Sequence, residues 1–148
     1  MPMKRIARSA IVEYSAGELY ALVENIEAYP EFLPWCVSAR VLERTAGSTR
    51  ATLQIGLKGV AQSLTTENLN RPGESIEMRL VEGPFRNFSA VWRFAPLDAA
   101  AAKIEFEMCY EFRNQALTRL LEPLFSHIAD TMVDAFTRRA RAVYGTGA

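Results

Sequence analysis

Along most of the chain apolar and polar residues alternate with period two; a short segment near the start and about the last fifth follow the 3.6-residue period of a helix. The clearest stretch is Lys103 to Phe112, where Ile104, Phe106, Met108, Tyr110 and Phe112 share one face and Lys103, Glu105, Glu107, Cys109 and Glu111 the other. One covered and one wet face belong to an antiparallel sheet; a parallel sheet with two covered faces would read as unbroken apolar runs. Arg5 to Tyr14 predicts a first strand, with Ile6, Ala10 and Val12 on one face. From Val37 onward strands follow one another: Val37, Ala39 and Val41; Ala51, Leu53, Ile55 and Leu57; Val60, Gln62, Leu64 and Thr66; Ile76, Met78 and Leu80; then Phe88, Ala90, Trp92 and Phe94. Turn signals separate them at Thr45–Ser48, Lys58-Gly59, Pro72-Gly73 and Gly83-Pro84.

Two helical regions interrupt the alternation. Ser15, followed three residues later by Glu18, is a capping box and predicts a short helix carrying Leu19, Leu22, Val23 and Ile26. Near the end, Leu117, Leu120, Leu121, Leu124, Phe125, Ile128, Met132, Val133 and Phe136 fall on one arc of a long helix. Arg119, Asp130, Asp134 and Arg141 fall opposite, and Gly145 stops it. Pro123 predicts either a kink or a short helix followed by a longer one. Between the first helix and the strands, AYPEFLPWC places Pro30 and Pro34 four residues apart, so no long helix runs through it. A tight turn or single helical turn displaying Tyr29, Phe32, Leu33 and Trp35 is expected. The only long amphipathic element must cover the apolar face of the sheet. The expected fold is α+β: residues 1–148 form one domain, a curved antiparallel sheet of about seven strands around a long C-terminal helix.

Composition narrows the chemistry. The 148 residues are 49% hydrophobic, with 17 basic against 17 acidic side chains, so no strong positive field argues for DNA binding. Cys36 and Cys109 form no CxxC pair, and a reduced cytoplasmic protein is the simplest reading. Lys4, Arg5 and Arg8 precede no long apolar run, so the N-terminus does not read as a signal peptide. No stretch approaches the roughly 18 apolar residues of a membrane span, which leaves peripheral contact, at the inner membrane, as the expected form of any membrane association.

No nucleotide-binding, nucleophile-elbow or zinc-protease motif is present. The single histidine, His127, lies at the edge of the helix's apolar arc and reads as a boundary residue. A zinc site needs three or four ligands and usually draws on several His or Cys, so no metal is expected. Glu105, Glu107 and Glu111 read as a solvated face rather than an acid–base set. What remains is apolar. Phe32, Leu33, Trp35, Phe85, Phe88 and Trp92 lie in or near Pro-punctuated turns, and suit either core or the mouth of a pocket. A void of about 300 Å3 between sheet and helix would cost on the order of 7 kcal/mol if dry, so a persistent pocket of that size holds a ligand or water. The alternation picks out candidate ligand contacts: Phe32, Leu33 and Trp35 from the turn; Leu64, Phe85, Trp92, Phe106, Met108 and Tyr110 from the sheet; Leu121, Phe125 and Ile128 from the helix. Gln62 and Thr66 are candidate polar contacts. Arg138, Arg139 and Arg141 form a basic cluster that suits the helix C-terminal dipole or a phosphate of RNA or lipid headgroups.

The stretches RSAIVEYSAGELYALVENIEAYPEFLPWC, LVEGPF, WRFAPL and MVDAFTRRARAVYG run from Arg8 to Gly145. Through them the chain resembles the coenzyme Q-binding branch of the START-like (polyketide cyclase/dehydrase and lipid transport) superfamily, and within it the bacterial RatA family. The resemblance implies a helix-grip fold with a hydrophobic cavity. It implies a carrier of ubiquinone or a similar isoprenoid lipid that supports respiration, with the lipid as bound ligand and no required cofactor. It also implies an alternative, a ribosome association toxin that binds the large ribosomal subunit and blocks subunit joining, with Arg138, Arg139, Arg141 and the YPEFLPWC loop as its surface. Neither reading is enzymatic.

Overall fold

The computed structural model describes residues 3–145. Seven strands form one antiparallel sheet in the order β1-β7-β6-β5-β4-β3-β2. They are β1 (Lys4–Val12), β2 (Cys36–Arg44), β3 (Ser48–Leu57), β4 (Val60–Arg71), β5 (Ser75–Glu82), β6 (Phe85–Asp98) and β7 (Ala101–Phe112). From β2 to β7 the sheet is a meander. The first strand closes the far edge by pairing with the last, Lys4 opposite Tyr110 and Val12 opposite Ala102. Helix α1 (Ala16–Glu24) and a 3-10 helix (Ile26–Glu31) carry the chain from one sheet edge to the other. Helix α2 (Gln115–Tyr144) lies in the grip of the curved sheet.

Local chemistry accounts for the element boundaries. The Ser15 hydroxyl accepts from the Glu18 amide at 3.1 Å, and Glu18 returns a bond to the Ser15 amide at 2.9 Å, so the capping box closes. Asn114 caps α2 through the Leu117 amide at 2.9 Å. At Pro72-Gly73, Gly73 has a φ of 73°, and the Glu74 amide reaches the Arg71 carbonyl at 2.9 Å, as a type II turn requires.

The inward residues of β6, β7 and α2 are those of the alternation: Ala90, Trp92, Phe94, Ile104, Phe106, Met108, Tyr110 and Phe112 are buried beneath Leu121, Phe125, Ile128, Met132 and Phe136. Of the two alternatives at Pro123, the split does not occur: α2 is one helix of 30 residues, and Pro123 and Arg119, whose carbonyl loses its donor, both face water. Three expectations change. Leu120 is 53% exposed, because the apolar arc is wider than the strip the sheet covers. Val37 is 67% exposed, because a register shift between Cys36 and Ser38 turns it outward while Cys36, Ala39 and Val41 face in. Finally, Tyr29, Leu33 and Trp35 are buried rather than displayed. The 3-10 turn folds them inward, and the Tyr29 hydroxyl donates to the Val23 carbonyl.

Candidate functional site

Two places deserve comparison: the interior between sheet and α2, and a groove on the outside of α2.

The interior is almost closed. Its cavity is about 30 Å3 and its lining is wholly apolar. Trp35, Leu64, Phe106, Met108, Phe125 and Ile128, all candidates from the alternation, line it. So does Phe88, one of the turn-flanking aromatics that suit a pocket mouth, and so do Leu53, Ile55, Met78, Ala90 and Met132, which share inward faces with them but carried no signal setting them apart from ordinary core. The volume is that of one water, far below the roughly 300 Å3 at which a dry void would be prohibitive, and the walls give a water no polar partner. The difference is filled by side chains. Trp92 packs against Phe94, Phe106 and Phe136 with ring centroids 6.0, 4.9 and 5.2 Å away. Phe85 fills one end against Phe112 and Phe125, at 4.9 and 5.0 Å. Leu121 is fully buried beside them. Three of the lining residues are methionines, whose unbranched side chains repack more readily than any other large apolar group.

The polar candidates separate. The Thr66 hydroxyl donates to Asn68 Oδ1 at 2.9 Å and is committed to a neighbour on its own strand. Gln62 is half-buried and is not part of the cavity wall. Tyr110 differs from both. Its hydroxyl is buried and makes no hydrogen bond within normal distance among the described residues. Burial pushes its phenol well above the ordinary value, and the nearby Glu122 carboxylate, already held by Lys4 at 2.7 Å, adds to the shift. Its ring packs on Phe125, one of the cavity walls.

The outer groove, of about 320 Å3, runs between the Pro-punctuated turn and the C-terminal half of α2. Phe32, Leu33, Pro34 and Trp35 form one wall; His127, Thr131, Ala135, Arg138, Arg139 and Ala142 form the other. Arg139 joins the walls. Its guanidinium lies 4.8 Å from the centre of the Phe32 ring and 3.2 Å from the Glu31 carboxylate. Phe32 in turn meets Phe136 edge-on at 5.1 Å, which ties the turn to the core. Arg138 stands on the rim in an exposed pair with Asp134 at 2.8 Å. Exposed pairs of this kind hold a side chain only weakly. Arg141 is exposed but two residues on from Arg139, about 200° around the helix, and does not line the groove.

The remaining candidate chemistry is tied up. Glu107 pairs with Arg5 at 2.9 Å, which holds its carboxyl below the usual range; Glu105 pairs with Lys103 at 3.2 Å. Both border a broad charged groove of about 570 Å3 on the outer sheet face. Cys36 and Cys109 are free thiols, and burial pushes Cys36 up to about 11. Among the described residues no cluster of His, Cys, Asp and Glu can hold a metal ion, and no helix is long and apolar enough to cross a membrane.

Residues 12–137 match the family described as polyketide cyclase / dehydrase and lipid transport. Over 143 residues, 97% of this chain and 99% of the other, the sequence is 41% identical to the ribosome association toxin RatA of Vibrio cholerae. It is 28% identical to the mitochondrial coenzyme Q-binding protein COQ10 homolog B of Xenopus laevis, over 96% of this chain and 61% of that one. In structure it is similar to the Zhui aromatase/cyclase from Streptomyces, with a TM-score of 0.85 at 18% identity over 96% of both chains. A START superfamily protein from Mycobacterium smegmatis has a TM-score of 0.70 at 18% identity, over 90% of this chain and 97% of that one. These two structural likenesses establish the helix-grip fold and no activity.

Proposed function

The chain belongs to the polyketide cyclase / dehydrase and lipid transport family, in its RatA branch, and from that premise we propose that it is a non-catalytic ribosome-associating protein whose contact surface is the groove between the Pro-punctuated turn and α2. One observation carries the proposal. The turn and the Arg138–Arg139 end of α2, far apart in sequence, are fastened into a single surface by Arg139 lying between Phe32 and Glu31. The groove combines a rigid aromatic floor with a basic rim, a pairing that suits RNA phosphates beside apolar protein or base surface. The large ribosomal subunit is the expected partner, and blocked subunit joining the expected consequence. No carboxylate or histidine lines the apolar interior, which supports binding rather than acid–base catalysis. Sucrose-gradient sedimentation with separated ribosomal subunits tests the proposal. The chain is expected to travel with the large subunit at low salt and to be released steeply as salt rises. Arg138→Glu is expected to weaken the association without unfolding the chain, since its side chain is exposed. Absence from the large-subunit fraction at low salt refutes the proposal.

A second reading, binding of ubiquinone or a similar isoprenoid lipid, is favoured by a different observation. The apolar cavity has three methionines in its wall, and the unpartnered Tyr110 hydroxyl lies one ring away. A ligand carbonyl would accept that proton, and repacking of methionines would open the volume. Native mass spectrometry of the purified protein, before and after incubation with quinone, tests this. Quinone-free protein that also ignores added quinone removes it.

A further inference from the structure

The register places one set of turns at a single end of the sheet: the β3–β4 hairpin, the β5–β6 turn and the β7–α2 junction, beside the starts of β1 and β2. Within residues 57–60, 81–86 and 113–120 there are four cations, Lys58, Arg86, Arg113 and Arg119, and one acid, Glu82. That excess stands out on a chain of zero net charge. Lys58, Arg113 and Arg119 make no ion pair among the described residues. The same end carries exposed large apolar side chains, Val37 and Leu120 among them, and half-buried Leu57 and Val60 flank Lys58.

Lys58 supplies a second, independent observation. The two-residue loop Lys58-Gly59 joins Leu57 to its partner Val60, and both loop residues have positive φ, 53° and 82°. A hairpin of this kind favours asparagine or glycine at the first position. Lys58 is the only non-glycine residue with positive φ among the described residues. The chain thus places a lysine at an exposed tip where local backbone energy favours another residue. The end also lies over the interior: a Cβ added to Gly83 in the β5–β6 turn would come within 3.1 Å of Leu64, a wall of the apolar cavity.

The geometry points to this end of the sheet as a docking surface for an anionic lipid bilayer, with Lys58, Arg113 and Arg119 meeting headgroup phosphates and the exposed Val37 and Leu120 entering the interface. Mixed cationic and aliphatic side chains on projecting turns fit a bilayer, where each cation near an anionic surface contributes about fivefold in affinity. An RNA surface would instead call for aromatic platforms between the cations, and no exposed aromatic side chain projects at these turns. The inference is separate from the ribosome reading, which uses the opposite half of α2.

Co-flotation with vesicles of phosphatidylcholine alone, and of phosphatidylcholine containing phosphatidylglycerol, tests it with the full chain. Binding is expected only to the anionic vesicles, and is expected to weaken with salt. Lys58→Asn is expected to lower partitioning about fivefold while raising thermal stability, which separates a docking role from a folding role. Arg113→Glu with Arg119→Glu is expected to abolish flotation. Arg71→Asn, a cation lost from the β4–β5 turn at the other end of the sheet, is expected to change nothing. The inference is overturned by absence of flotation with anionic vesicles, by equal binding to neutral ones, or by an Arg71→Asn loss as large as that of Lys58→Asn. Retention of a single-stranded RNA by the chain, lost in Lys58→Asn while no vesicle floats it, would assign the surface to RNA and likewise overturn it.

Discussion

Replacing Tyr110 by phenylalanine removes one oxygen and leaves the ring contacts in place: Phe112 at 5.4 Å, Phe85 at 6.0 Å and Phe125 at 6.2 Å. The oxygen is buried with no partner at normal hydrogen-bond distance, and its polar neighbour, the Glu122 carboxylate, is held by Lys4 instead. A buried unsatisfied group costs about 1–3 kcal/mol. The void left is smaller than a methyl group, whose loss costs about 1 kcal/mol. The ligand-free protein should therefore gain on the order of 1 kcal/mol from Tyr110→Phe. For a domain of this length that is a rise in Tm of roughly 2–4 °C. The sign is unusual, since most core substitutions destabilise. Urea denaturation of delipidated protein reads it directly, as a higher midpoint with an unchanged slope. Alkaline pH offers a second readout. Burial raises the Tyr110 phenol above its unfolded value, so its share of stability is fully present below pH about 10 and falls as pH climbs above that. Tyr110→Phe removes that share and flattens the alkaline limb; the similarly raised Tyr29 keeps some of the slope. A loss of more than about 1 kcal/mol in Tyr110→Phe would show that the hydroxyl has a partner, and the reasoning would fail.

Other substitutions and reagents should behave as follows. Trp92→Ala removes the ring on which Phe94, Phe106 and Phe136 pack and should cost about 3–5 kcal/mol by urea denaturation; a cost under about 2 kcal/mol would mean that the core collapses into the gap. Asn114→Ala removes the cap of α2 and should cost about 1 kcal/mol, with amide exchange faster at Leu117 than further along the helix. Iodoacetamide at pH 8 should label half-exposed Cys109 first and buried Cys36, whose thiol is pushed up to about 11, only on unfolding; peptide mass mapping that finds the two labelled together would contradict the burial argument.

Local information wrote most of the architecture. Ile104 to Phe112 could face only one way, because side chains on a strand alternate and five large apolar groups must leave water together. The Ser15–Glu18 box, the Pro72-Gly73 turn and the stop at Gly145 were legible for the same reason: each is settled within about four residues. At Val37 the alternation misled, because a bulge depends on pairing with β3 rather than on the strand itself.

The candidate sites divide along the same line. Which residues are inward, and therefore which line an interior cavity, followed from the pattern for Leu64, Phe106, Met108, Phe125 and Ile128. How large that cavity is did not, since volume is the small remainder after Phe85, Trp92 and Leu121 have taken their rotamers, and it depends on the height of α2 above the sheet. Nor could sequence choose among Arg138, Arg139 and Arg141. They are neighbours in the chain, yet a 100° turn per residue sends Arg139 onto Phe32 and Arg141 away from it. The sequence by itself determined the order of the elements and the faces they bury, because those follow from side-chain periodicity. Only the tertiary structure decided that the interior is nearly full and that the Pro-punctuated turn and the end of α2 form one surface, because both depend on how separate elements meet.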